Sequence, residues 1–303
     1  MVRKERIRVL KEGYKAPGPV AYWMSRDQRI SDNWALLYAQ ELAMKTGEAL
    51  AVVFCLVPEF LNATVRQYGY MLDGLREIER DLAALNIPFF LTTGSPDLEI
   101  LGFLNQHHIK ALVTDFDPLK LKRQWKKDIA KQLAIPFYEV DAHNIIPCWL
   151  TSPKLEYGAY TIRPKIRRLI PEFLEEYPKP QKHPIIWNLK RDRVDWGKIK
   201  KNLSADNRKC ELRWVEPGEK AARTALGQFI TDRLDVYDMA RNDPNKAGQS
   251  DLSPYLHFGN ISAQRVALEV VKGKVVGKSR DAFLDELIRR RELSDNVWFY
   301  NDH

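Results

Sequence analysis

Four stretches carry residues whose types and spacing could do chemistry. In Gln249-Ser250-Asp251-Leu252-Ser253-Pro254 a serine precedes a proline and an apolar run, a helix start with Ser253 as N-cap and Pro254 at the first helical position. Hydroxyls beside free helix-start N–H groups make an anion cradle suited to a phosphate, although simple capping explains the same pattern. Asp251 weakens the phosphate reading unless its carboxylate points away. Tyr237 and Arg241 are four apart, so on a helix they share a face, and the following Asn242-Asp243-Pro244 ends that helix. A tyrosine and a guanidinium together can stack on, or hydrogen-bond to, a planar anionic ligand; an ordinary cation–aromatic surface pair is the plainer alternative.

The last helical stretch reads Glu286-Leu287-Ile288-Arg289-Arg290-Arg291-Glu292-Leu293. Leu284, Leu287, Ile288 and Leu293 supply an apolar stripe, and Glu286 and Arg290 are i,i+4. A solvated salt-bridge ladder accounts for this at about 0.3–0.5 kcal/mol per pair. The functional reading is a carboxylate and guanidinia lining a polar pocket for a nucleotide or flavin. Finally, Lys154–Arg168 sets Lys and Arg among Tyr157 and Tyr160, types that contact phosphates and stack on bases, or that make a basic linker packed on the first domain.

The elements that must position these groups follow from periodicity. Val20–Met24, Ala49–Val57, Pro88–Thr92, Ala111–Thr114 and Phe137–Val140 are short β-rich runs. Helical patterns over Asp32–Lys45, Val65–Leu85, Asp97–His107 and Leu119–Leu133 separate them. Strand and helix in alternation predict a doubly wound α/β domain with a five-stranded parallel sheet over about residues 18–142, with ligands expected at the carboxyl ends of its strands. From 143 to 216 prolines cluster, and Trp149, Trp187, Trp196 and Trp214 are spread through polar sequence, as in a long linker wrapping a surface. From 217 to 303 the chain reads as all-helical: Glu219–Tyr237, Ser262–Lys272 and Arg280–Tyr300. That part is thin for a domain of its own, so an incomplete one is expected.

Composition sets wider limits. Of 303 residues 45% are hydrophobic and 29% charged, as in folded globular proteins, and the net charge of +8 is compatible with a polyanionic partner. Cys55, Cys148 and Cys210 are scattered, with no disulfide framework or metal-ligand spacing. No run is long enough for a membrane span, and the basic N-terminus lacks the apolar core of a signal peptide, so a cytoplasmic protein is expected, with nucleoid or nuclear association left open.

Taken together, Val20–Leu42, Lys154–Leu174, Ala240–Arg265 and Asp285–Asn296 closely resemble the signature stretches of class II cyclobutane pyrimidine dimer photolyases, in that family's order. DQRISDNWAL and LSPYLHFG at this separation make the resemblance specific. It implies a Rossmann-like antenna domain, a long linker and an all-helical FAD-binding domain, present here in part. It also implies light-driven repair of pyrimidine dimers in damaged DNA by reduced FAD, on a target flipped out of the duplex, the mode the enzyme class uses. An antenna chromophore is expected with its identity open, no metal is required, and a monomer is expected. Carried over by position, Arg241 lies at the boundary of flavin and lesion, and Glu286 hydrogen-bonds the lesion's bases. The flavin contacts would be Tyr237, the phosphate loop Gln249, Ser250, Asp251, Leu252 and Ser253, and the pocket wall containing Arg289, Arg290 and Leu293. Asp251 departs from the neutral or basic residue expected there. A cryptochrome-type photoreceptor, or a non-catalytic remnant binding an antenna pigment or DNA, are the alternatives. Light-dependent repair separates the first, and flavin absorbance the second.

Overall fold

The computed structural model describes residues 1–188, 193–203 and 215–301. Cys210 and Trp214, named above, lie outside the described residues.

Six strands form one sheet: β1 Ile7–Lys11, β2 Val20–Met24, β3 Leu50–Leu56, β4 Phe89–Thr93, β5 Ala111–Asp115 and β6 Phe137–Val140, in the order β1-β6-β5-β2-β3-β4. β2 to β6 are mutually parallel, with Val20 opposite Leu50 and Ala111, as the five β-rich runs predict. Both faces of each central strand are covered. Val20, Tyr22, Met24, Leu50, Val52 and Phe54 point into a core under α1 (Trp34–Thr46) and α2 (Val65–Ala84). Ala21, Trp23, Ala51, Val53 and Cys55 alternate with them, toward α3 (Pro96–Gln106) and α4 (Lys120–Gln132). That period of two, with apolar residues in both phases, is what a parallel sheet buried on both faces requires.

β1 corrects the expected strand count. It pairs antiparallel with β6, Ile7 opposite Val140, and adds an edge outside residues 18–142. Arg8 and Lys11 leave its five residues without an apolar run that a hydrophobic scan would find. Arg8 is held against Glu139 at 2.7 Å and lies between the rings of Trp149 and Phe299.

Beyond the sheet run short helices: α5 Cys148–Thr151, α6 Ala159–Phe173 and α7 Trp196–Asn202. Ile162, Ile166 and Phe173 place the apolar face of α6 in the helical core. That core is completed by α8 Glu219–Asp232, α9 Tyr237–Ala240, α10 Ser253–His257, α11 Ala263–Lys272, α12 Lys278–Leu284 and α13 Arg291–Tyr300. Two expected helices are interrupted. Glu219–Tyr237 stops at Asp232 and resumes through a 3-10 turn at Leu234–Val236. Arg280–Tyr300 contains a π-helical segment, Asp285–Arg290, between α12 and α13. Ser253 is the first residue of α10, with Leu252 in the cap position and no side-chain capping bond, so the expected N-cap role is corrected.

Candidate functional site

α9 places Tyr237 inside the helical core, edge-on to Phe283 (5.2 Å) and Phe229 (5.8 Å). Burial raises its phenol pKa, against the opposing pull of Arg241. Arg241 caps α9, with its guanidinium 5.7 Å from the Tyr237 ring centre, so the spacing of four does bring the pair together. Arg241 Nη1 then reaches Glu286 at 3.0 Å, and Glu286 also pairs with Arg290. The Gln249 side chain donates to the Arg241 carbonyl. The loop comes this close because residue 248 is glycine: a Cβ there would sit 2.5 Å from that of Ala240.

The other expected site residues divide. Asp251 has φ +58° and turns its carboxylate to Arg233 at 2.5 Å. Ser250 Oγ accepts from the Leu252 amide at 3.4 Å, Leu252 is buried in the helical core, and Ser253 is exposed. Arg289 pairs with Asp285 at 2.6 Å, and Asp285 lies 3.6 Å from Arg163 on α6. Leu293 packs half-buried against the core. In the basic stretch, Lys165 is tied to Glu156 and Ser152 and so braces the chain locally, whereas Tyr157 and Tyr160 are exposed.

A second cluster was not singled out from sequence. It joins the carboxyl end of the sheet to the helices. Arg29 is 1% exposed and donates to Asp27 (2.6 Å) and to the carbonyls of Gly259 (3.0 Å), Ala142 (2.6 Å) and Asp32 (3.0 Å). Burial works to raise the Asp27 pKa, but Arg29 and His143 outweigh it and hold the carboxylate well below its usual range. His143 Nδ1 lies 3.1 Å from Asp27, and Arg291 lies against the same ring. Burial, with Arg26 and Arg291, pushes the imidazole down to about 3 and keeps it neutral. Arg26 forks onto Asp295 at 2.8 and 3.0 Å. Asp32 takes Arg265 (2.8 Å) and Arg223 (2.8 Å), and Glu219 accepts from the Ile30 and Ser31 amides. Arg6, also buried, donates to the carbonyls of Asp141, Asn144 and Ile145 and to Gln264. The available signal was the density of charge in DQRISDN directly ahead of an apolar helix.

Two of the stretches that carried the resemblance therefore touch. Gln28 N donates to the Phe258 carbonyl (3.3 Å), and Asn260 Nδ2 donates to the Gln28 carbonyl (3.1 Å). Gly259, φ +70°, has no room for a Cβ, which would lie 2.3 Å from the Arg26 carbonyl oxygen.

Comparison with known proteins adds the identification. A family model described as DNA photolyase matches residues 20–182. The chain belongs to the DNA photolyase family. It is 47% identical over 283 residues to the deoxyribodipyrimidine photo-lyase of Potorous tridactylus, covering 92% of this chain and 53% of that protein. The corresponding protein of Arabidopsis thaliana is 44% identical over 318 residues, covering 100% of this chain and 64% of the relative. The chain thus spans between about half and two thirds of the length of these curated relatives. Among solved structures, a class III photolyase from Agrobacterium tumefaciens superposes with a TM-score of 0.73 at 18% identity, covering 95% of this chain and 60% of the other. A Synechocystis cryptochrome superposes at 0.71 with 20% identity, covering 93% and 62%. These two likenesses concern the photolyase fold alone.

Several arginines in the helical part keep a buried Nε without a hydrogen-bond partner, those of Arg163 and Arg291 included. Arg241 Nε and Arg289 Nε are buried and without a protein partner, donors of the kind an anionic or carbonyl-bearing ligand satisfies. Among the described residues no cluster of three or more His, Cys, Asp or Glu could hold a metal. No helix among them is long and apolar enough to cross a membrane.

Proposed function

We propose that this chain is part of a class II cyclobutane pyrimidine dimer photolyase, a deoxyribodipyrimidine photo-lyase acting on damaged DNA. The observation that carries the reading is the convergence of Tyr237, Arg241, Gln249, Glu286 and Arg290, far apart in sequence, into one connected group. Those are positions at which the resemblance places flavin and lesion contacts. Bound FAD, in its reduced and light-excited form, would supply the electron that splits the dimer. The chain's own work is placement. Tyr237 and Arg241 would form one wall of the flavin pocket, and the Gln249–Ser253 loop would hold its phosphates. Arg289, Arg290 and Leu293 would line the adjoining wall, with Arg241 at the boundary to the lesion. Glu286 would accept from the dimer's bases once it exchanges an arginine partner for them. The turning away of Asp251 toward Arg233 supports the phosphate reading of its loop, because it removes a negative charge from the cradle.

The domain assignment belongs to the same proposal: an antenna domain over 18–142, with β1 added from outside that range, a linker over 143–216, and helical FAD-binding residues from 217. An antenna pigment of open identity belongs to the same reading, since open parallel sheets of this kind bind ligands along the carboxyl ends of their strands. A monomer is part of the reading.

The test is binding of a dimer-containing oligonucleotide against its undamaged counterpart, with flavin content and light-dependent dimer loss measured on the same preparation. Arg241→Ala and Glu286→Gln should each lower the preference for damaged DNA. Equal loss on both DNAs would refute the roles assigned to them.

A further inference from the structure

The helical run that carries Glu286 is fastened at its two ends to different bodies. Upstream, Ser279 donates to the Asp235 carbonyl at 2.8 Å, and Phe283, Leu287 and Ile288 lie in the helical core. Downstream, α13 turns to the segment following β6. Glu292 accepts from the amides of Ile145 (3.0 Å) and Ile146 (3.1 Å) and from the Thr151 hydroxyl (3.2 Å). Asp295 accepts from Arg26 and Asn144, and Asn296 exchanges bonds with the Glu156 amide and the Lys154 carbonyl.

Inward positions therefore recur at Ser279, Phe283, Leu287, Glu292 and Asn296, in steps of four or five residues. An α-helix turns roughly 100° per residue, so a four-residue step drifts by about 40°. Over the whole run that drift would carry one end off its partner while the other stayed docked. The π segment Asp285–Arg290 absorbs it, because each of its turns takes up an extra residue. Such turns are less favourable than α-helix and persist where the surroundings over-determine them. Inside this one sits Glu286, between Arg241 and Arg290.

We propose that the π turn is a positioning device for Glu286. Docking of α12 in the helical core, and of Glu292 and Asp295 on the far side, holds the turn open, and the open turn sets Glu286 against Arg241. Glu292 and Asp295 are then positioning residues that act through the turn. The functional weight of this placement rests on the reading of Glu286 as the lesion-facing carboxylate, but the placement itself is tested without DNA.

The experiment is a double-mutant cycle on Arg241→Ala and Glu286→Ala, read as urea unfolding of the full 303-residue chain. It is run in the parent and in a variant lacking Asp285. That deletion removes the extra residue, keeps α12 and α13 in phase, and leaves every proposed contact residue present. The parent should show a coupling of roughly three- to tenfold in the unfolding constant, and the deletion variant none, while far-ultraviolet circular dichroism stays helical. Coupling that persists in the deletion variant overturns the proposal. If the deletion variant does not fold, Glu292→Ala and Glu292→Gln decide. Coupling should vanish with Ala and return with Gln, and a less stable Ala variant with its coupling intact overturns the proposal. Damaged-DNA preference of Glu286→Gln is measured beside these. If it equals the parent's while the couplings behave as stated, the lesion-facing reading fails and the positioning device stands.

Discussion

Replacing Glu292 by glutamine should change the pH dependence of stability more than stability itself. The carboxyl is 3% exposed. Burial raises its pKa, opposed by the Ile146 amide and reinforced by Asp141, and the balance stands at about 8 against an ordinary value of 4.5. The folded state therefore keeps a proton that the unfolded chain releases above pH 4.5. The stabilisation linked to this proton is fully present below pH 4.5 and is lost as pH rises toward 8. At about 1.4 kcal/mol per pH unit the whole loss is on the order of 5 kcal/mol. Glutamine reproduces the neutral acid: its carbonyl accepts from the Ile145 and Ile146 amides, and its amide can face the Thr151 hydroxyl.

The measurement is urea unfolding of the parent and Glu292→Gln at intervals from pH 5 to pH 9 at constant salt. The stability difference should move steadily in favour of the glutamine variant up to about pH 8 and then level off. Subtraction cancels most of the titration of Asp141 and Asp295, which both proteins retain. Glu292→Ala serves as the contrast. It leaves two buried amides unpaired and opens a cavity, and should cost about 3–5 kcal/mol at pH 5, where ionisation contributes least. Parallel stability curves for the parent and the glutamine variant would mean that Glu292 is ionised throughout, and the argument from burial would be refuted.

Arg6→Ala should destabilise by about 3–5 kcal/mol, because it strips a buried guanidinium from three buried carbonyls; urea midpoints check this, with Arg6→Lys recovering only part. Gly259→Ala should force the Arg26–Asp27 backbone away and cost about 2 kcal/mol or more, seen as a lower melting temperature and faster exchange of the Gln28 amide. Removing the exposed Arg167 and Arg168 should weaken damaged and undamaged DNA equally, with a salt slope shallower by about 0.9 for each phosphate they neutralise. An unchanged slope would take those side chains off the DNA.

What could be read from the sequence follows from how far apart the interacting residues are. β2 to β6 were legible because each is a β-rich run with apolar residues in both phases, a local property. The Tyr237–Arg241 contact was legible for the same reason, since a spacing of four fixes a shared face before any tertiary structure exists. Arg241 against Glu286 spans 45 positions and has no local signature; only the resemblance brought the two together. β1 was missed because, as a half-covered edge strand of five residues, it carries Arg8 and Lys11 and so shows neither an apolar run nor a clean alternation. The π turn was missed because a single apolar stripe through Leu284, Leu287, Ile288 and Leu293 satisfies an ordinary helix, while the residues that demand the wider turn, Glu292 and Asp295, are polar. The buried ion pairs were missed on the same ground. Periodicity encodes which face is apolar, and it is silent about a carboxylate whose partner lies far away in the sequence. DQRISDN looks like a solvated loop, yet Asp27 and Arg29 are sealed beneath Gly259. The two stretches that made the resemblance specific are, physically, two halves of one contact. A charged motif of that kind specifies the docking of two bodies, because a buried charge tolerates only the arrangement that supplies its partner.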